Sequence, residues 1–286
     1  MPLIHVENLG LPELSSYSEK HEVQLLRANE PAPGLFVAES ANVIQRALNA
    51  GYEPLSFLAE EKRATEEFAP LFAPFPEVPV YTAELDLISR LSGYSMMRGV
   101  LSLMKRKPLP DPKELCREAK HITVLENVMN PTNLGAIFRS AAALSMDALI
   151  IATGCTDPLY RRAARVSMGT VFQIPWTSFE KKLSWPEGGI RMLKELGYRI
   201  LAMALREDAI PLQEYNPAPE EKLAVLLGSE GYGLEEKTLE LCDDIVMIPM
   251  GRGVDSLNVA AASAVAFWEM GKQRLRAVFQ EHSHLT

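Results

Sequence analysis

The pattern of apolar and polar positions divides the chain into a loosely patterned first part and a regular second part. In the second part short apolar runs recur: HITVLEN (121–127), ALIIATG (148–154), RILAMAL (199–205), KLAVLLG (222–228) and DIVMIPM (244–250). Runs of this length, rich in Val, Ile and Leu, predict buried strands. Between them NLGAIFRSAAAL (133–144), PLYRRAARVSM (158–168), GIRMLKELG (189–197) and LEEKTLELC (234–242) carry helical spacing, and a long helix runs from Asn258 to about Gln280. Strands alternating with helices predict an α/β fold with a parallel sheet covered on both faces. Such sheets bind ligands at the carboxyl ends of their strands, where the polar, glycine-rich stretches of this sequence fall.

The first part is smaller and mixed. GLFVAES (34–40), LSFLAEE (55–61), VPVYTA (78–83) and GVLSLMK (99–105) predict strands. NVIQRALNAGY (42–52) predicts a helix ended by Gly51, and LDLISRLSG (85–93) another. No catalytic constellation is visible here. KRKPLPDP (105–112) puts three cations and three prolines together, the composition of a stiff joint. The expected organisation is therefore a first domain over 1–107, a linker over 108–118 and a second domain over 119–286, which suits 286 residues at about 150 per domain.

Composition narrows the class. Hydrophobic residues make up 47% and charged residues 23%, which excludes wholesale disorder. Cys116, Cys155 and Cys242 form no CxxC pair and are odd in number, so no disulfide framework is expected. The opening residues MPLIHVENLG have neither a basic start nor a long apolar run, so no signal peptide is expected. The stretch from Val259 to Trp268 falls short of the roughly 20 residues that a bilayer span needs. A cytoplasmic protein without a membrane partner is the expectation. The five histidines and three cysteines have no ligand spacing, so no metal is expected. A net charge of −8 argues against a cationic surface overall. Local basic candidates are Lys105, Arg106 and Lys107 at the joint, and Arg161, Arg162 and Arg165 on one helix.

Three loops hold the candidate chemistry. In ENVMNPTNLGAIFRSAAAL (126–144), Pro131 suits a first helical turn and Asn130 its cap. Leu134, Ile137, Ala141 and Leu144 form one apolar stripe, and Arg139 points away from it. Taken singly, Arg139 is a surface arginine and Asn133 a helix-start residue. In LLGSEGYGL (226–234), three glycines follow a strand and precede a helix, but GSEGYG is not the GxGxxG dinucleotide fingerprint. Glu230 there has the plain alternative of a helix-dipole partner. In IPMGRGVDSLNVAAASAVAFWE (248–269), Asp255, Ser256 or Asn258 can cap the last helix. Its run of small residues suits either an intrachain core contact or a seam between two copies.

In this order the segments resemble one family. N-x-G-x-x-x-R (Asn133, Gly135, Arg139), G-S-E-G-x-G and I-P-M…S-L-N-V are similar to the three motifs of the SpoU/TrmH branch of the SPOUT methyltransferases. GCTDPLYRRAARVSMGTVFQIP (154–175) is similar to that family's Asp-Pro…Arg-x-Ser-x-Gly segment, and the resemblance spans about residues 119 to 275. VAESANVIQRAL and LSGYSMMRGVL resemble, more loosely, the ribosomal-protein-like substrate-binding domain of many members. Asn130 departs from the aspartate that many relatives place before the proline.

The resemblance implies a parallel-sheet SPOUT domain with a deep trefoil knot at the carboxyl end, preceded by a smaller α/β RNA-binding domain. It implies methyl transfer from S-adenosyl-L-methionine to a ribose 2′-hydroxyl in rRNA or tRNA, by a homodimer. A non-catalytic RNA-binding module on the same fold is the alternative. Carried over motif by motif, Gly228, Ile248 and Leu257 match cofactor-contacting positions, and Asn133, Arg139, Glu230, Ser256 and Asn258 match catalytic-motif side chains. Family proposals make the arginine a general base. A guanidinium keeps its proton near neutral pH, so a bidentate phosphate clamp suits it better.

Overall fold

The computed structural model describes residues 3–8, 10–89, 99–180, 182–217, 221–229 and 231–283, with side chains as far as Lys272. The chain divides into two compact units. One comprises Met1–Pro108 and Pro158–Gln173, the other Leu109–Asp157 and Ile174–Thr286.

The first unit holds a five-stranded mixed sheet built from β1 (Leu3–His5), β2 (Leu35–Glu39), β3 (Pro54–Glu60), β4 (Val80–Ala83) and β5 (Val100–Lys105), in the order β1-β4-β3-β5-β2. All four expected strands form. β1 and the short helices Ser15–Ser18 and Glu22–Leu26 are additions, too brief to show a period in the sequence. Leu14, Tyr17 and Leu25 from that opening stretch pack on Val37, Leu58, Leu101 and Leu103. The Tyr17 hydroxyl ties three segments together, donating to Ser56 O at 2.9 Å and accepting from Leu103 N at 2.9 Å. The helix Ala41–Asn49 forms where expected. The second predicted helix is described over Leu85–Ser89, and the rest of it lies outside the described residues.

Pro158–Gln173, expected in the second domain, groups with the first unit. Its helix Arg161–Val166 lies against β2. Glu39, at the end of β2, is 4% exposed and takes both Arg161 (3.3 Å) and Arg165 (2.9 Å). Arg46 donates to Met168 O at 2.7 Å. Phe172 sits 5.7 Å from Phe36 and 5.2 Å from Tyr52, ring centre to ring centre.

The second unit holds seven parallel strands: β6 (His121–Leu125), β7 (Ala148–Ile151), β8 (Trp176–Ser178), β9 (Tyr198–Met203), β10 (Ile210–Pro211), β11 (Lys222–Leu227) and β12 (Asp244–Met247), ordered β10-β12-β9-β11-β6-β7-β8. β8 and β10 are the two that the pattern did not predict, at three and two residues. Central β11 pairs with β6 (Leu223 beside His121) and with β9 (Lys222 beside Tyr198). Both its faces are buried. Ala224 and Leu226 face Ile190 and Leu193 of the helix Glu187–Glu195, while Leu223 and Val225 pack with Ala266 and Met270 of the final helix, Val259–Ser283. The expected linker, 108–118, includes a helix, Pro112–Glu118. Asp111 accepts from Lys113 N (2.9 Å) and Glu114 N (3.2 Å) and caps the helix Pro112–Glu118, with Pro112 in its first turn. Cys116, Cys155 and Cys242 are free thiols.

Arg199 of β9 joins Asp244 of β12 through two hydrogen bonds, one of 2.9 Å. That hydrogen bonding, reinforced by the guanidinium charge and opposed by partial burial, holds the Asp244 carboxyl below its ordinary value. The stabilisation is full above the unfolded carboxyl value of about 4 and is lost as pH falls through the lowered folded one. Because Arg199 is half exposed, Asp244→Asn is expected to cost only about 1 kcal/mol at pH 6. In urea titrations at stepped pH this difference should shrink toward pH 3; equal losses at both pH values would contradict it.

Candidate functional site

The carboxyl ends of β9, β11 and β12 open into a cleft of about 220 Å³. Its apolar lining includes Met203, Leu205, Val246, Ile248, Leu257 and Val259, and its polar side chains are those of Ser229, Asp255 and Ser256. Gly228, Ile248 and Leu257, the three expected cofactor positions, all line it, together with Ser256. Residues from three separate loops thus share one concavity, because parallel strands deliver their exits to one edge.

Gly228 is required by the chain itself. A Cβ there would lie 2.2 Å from the carbonyl carbon of Gly233 and 2.4 Å from Leu234 N. The close approach arises because the loop folds back on itself: Ser229 N donates to Gly233 O (3.1 Å) and Gly233 N to Ser229 O (2.9 Å). Gly233 has φ +68°, a conformation that favours glycine. Tyr232, at the tip of this turn, is 94% exposed. Glu230 lies outside the described residues.

The first and third loops meet through two asparagines. Asn130 caps the helix Pro131–Ala143, accepting from Thr132 N at 2.8 Å, as expected. Asn133, in the first turn of that helix, is buried, and its Oδ1 accepts from Asn258 Nδ2 at 3.1 Å. Asn258 also caps the final helix: its Oδ1 accepts from Ala260 N (3.0 Å) and Ala261 N (3.4 Å). Of the three capping candidates, Asn258 fills the role. It lies between Leu257 and Val259, both in the cleft lining.

Arg139 is exposed on the helix Pro131–Ala143, opposite the buried Leu134, Ile137 and Ala141. Among the described residues no hydrogen bond or ion pair engages its guanidinium. Five of the six other basic candidates differ. Arg161 and Arg165 are occupied by Glu39, and Lys105 pairs with Glu53 at 2.7 Å. Lys107 lies 5.0 Å over the Tyr52 ring and donates to Ala50 O, while Arg106 donates to Leu35 O. These cations serve the first unit's own structure. Their acidic and carbonyl partners are distant in sequence, so the helical spacing that put Arg161 and Arg165 on one face gave no sign of them.

Sequence reasoning also passed over Glu126 and Cys155. Cys155 Sγ donates to Leu125 O (3.2 Å) and accepts from Val128 N (3.3 Å), and burial pushes its thiol up to about 12. That thiol braces the loop after β6 and is not an activated nucleophile. Among the described residues no group of three or more His, Cys, Asp or Glu could hold a metal, and no helix is long and apolar enough to cross a membrane.

The paired role of Asn258 is measurable. Asn258→Ala removes both cap and bridge and is expected to cost about 1–2 kcal/mol, whereas Asn258→Asp keeps the cap acceptor and should cost about 0.5 kcal/mol. Chemical denaturation of the two variants would show it, and equal costs would place the energy elsewhere.

Comparison with known proteins agrees with the motifs. The sequence model of the SpoU rRNA Methylase family matches residues 120–268. An uncharacterized tRNA/rRNA methyltransferase of Mycobacterium tuberculosis is 39% identical over 262 residues, covering 90% of this chain and 88% of the relative. RlmB of Acinetobacter baylyi, a 23S rRNA (guanosine-2′-O-)-methyltransferase, is 28% identical over 206 residues, covering 69% and 80%. The AdoMet-bound rRNA methyltransferase of Sinorhizobium meliloti shares the fold, with a TM-score of 0.76 at 22% identity over 93% of this chain and 97% of that one. The family match across more than half of the chain, on the loops that build the cleft, establishes that this protein belongs to the SpoU rRNA Methylase family of RNA methyltransferases.

Proposed function

We propose that this chain transfers a methyl group from S-adenosyl-L-methionine to a ribose 2′-hydroxyl of rRNA or tRNA. The observation that carries the reading is the gathering of Gly228, Ile248, Leu257 and Ser256 around one cleft. The residues fit that cofactor. Apolar side chains suit a planar base, and the open space beside Gly233, where a Cβ would meet nothing within 4 Å, leaves room for a ligand. When bound, the cofactor supplies a methyl group already activated by its sulfonium, so the chain's own work is alignment.

In this reading Arg139 clamps the target nucleotide's phosphate and favours ionisation of the neighbouring 2′-hydroxyl, whose proton leaves to the phosphate or to water. Its exposure and lack of a described partner suit that task. Glu230 orients the arginine, and Asn133, Ser256 and Asn258 hold loop and ribose. The bond between Asn133 and Asn258 supports the loop-holding role. The deep trefoil knot belongs to the same reading, formed by the loops that wall the cleft. The first unit is the RNA-selecting part.

A second copy completes the assembly. Ala261, Val265 and Trp268 recur at helical spacing on the final helix and are exposed, Trp268 to 55%. Exposed apolar residues on one helix face suit an interaction surface. Trp268→Glu is expected to convert a dimer to monomer in sedimentation; an unchanged mass would remove this face from the interface.

Arg139→Ala is expected to lower the methylation rate by about 100-fold or more while S-adenosylhomocysteine binds as before, since one bidentate charged contact in a reacting complex is worth about 3 kcal/mol. Calorimetry and ribose-methylation mapping of total RNA check the two halves. Undiminished transfer would take Arg139 out of the mechanism. RNA binding without any methylation by the wild-type protein would favour a non-catalytic module.

A further inference from the structure

Glu126 follows β6 directly and is 0% exposed, yet nothing in the reaction described above uses it. Its backbone N–H donates to Leu227 O at 2.9 Å, joining the exit of β6 to the exit of β11. Its side chain is saturated with donors. Oε1 accepts from Glu235 N at 2.7 Å, and Oε2 accepts from the Thr238 hydroxyl at 2.6 Å and from the Trp185 indole N–H. Glu235 and Thr238 are the N-cap and third residue of the helix Glu236–Leu241. Trp185, stacked 5.5 Å from Phe179, comes from the chain before the helix Glu187–Glu195. Asn127, held at φ +57°, reaches the same place, its Nδ2 donating to Glu235 Oε1 at 3.3 Å.

The segment between β11 and Glu235 carries Gly228, Ser229 and Gly233, all in the cleft lining, as well as Glu230. It is fixed at its start by the sheet and in its middle by the Ser229–Gly233 backbone pair. Glu126 fixes its far end. A carboxyl group with no exposure to solvent is costly to bury, and an apolar side chain would serve bare stability as well or better. What a carboxyl adds is direction: three donors from two segments converge on two oxygens only in one arrangement.

We propose that Glu126 is a positioning residue, which sets the loop 228–235 in the conformation needed for methyl transfer at the cleft. The proposal rests on the methyltransferase reading of that cleft.

Glu126→Gln tests it. The amide still accepts from Glu235 N, and the Thr238 hydroxyl can turn to accept, but the Trp185 N–H then faces another donor. Trp185→Phe removes that conflict. Glu126→Gln alone should raise KM for S-adenosylmethionine and Kd for S-adenosylhomocysteine and lower kcat, each by about tenfold, the effect of one unsatisfied buried donor. KM for RNA should not move. The double variant should recover most of the loss. Hydrogen exchange of the backbone over 228–235 should quicken in Glu126→Gln and slow again in the double variant. Thr238→Val, which removes one donor from the other side, should move the same quantities less and serves if Glu126→Gln does not fold. Unchanged exchange and kinetics, or no recovery in the double variant, would overturn the proposal. If the folded wild type neither binds S-adenosylhomocysteine nor methylates RNA, the functional reading fails, and the exchange measurement still decides whether Glu126 positions the loop.

Discussion

Parallel pairing of β6, β11, β9 and β12 sends four strand exits to a single edge of the second sheet. An antiparallel strand in that block would turn one exit to the opposite edge and break the cleft. The polarity follows from sequence: each strand is followed by enough chain to return before the next begins, and each is apolar on both faces. Once the exits coincide, the loops compete for the same space. The absent side chain at Gly228 resolves that competition, since the returning backbone at Gly233 and Leu234 occupies the volume that a Cβ would fill.

Most of this was legible because it is local. Strands of five or six residues with Val, Ile and Leu on both faces announce themselves, as HITVL and KLAVLL do. So do caps beside a proline, as at Asn130. β8 and β10 did not, because two or three residues carry no period. The site was legible through motif resemblance more than through physics. Nothing about Gly228, Ile248 and Leu257 as residue types says that they meet; their order along a known pattern does.

What stayed hidden was partnership across long separations. Glu126 opens the first motif segment, but its three donors are 59 to 112 residues away. Arg161 and Arg165 read as a basic face in the sequence, yet both pair with Glu39, over a hundred positions upstream. Helical spacing reports which side chains share a face, and is silent on what the face meets.

The excursion of Pro158–Gln173 into the first unit bears on how such a protein can be divided. A sixteen-residue arm of the methylase half lends Phe172 to the aromatic cluster of Phe36 and Tyr52, and gives Glu39 its only cationic company among the described residues. Scission at Pro108 would therefore strip each fragment of something it folds against: a bare carboxylate on one, an orphaned greasy finger on the other. An exchange of the first unit for another would have to carry that arm along.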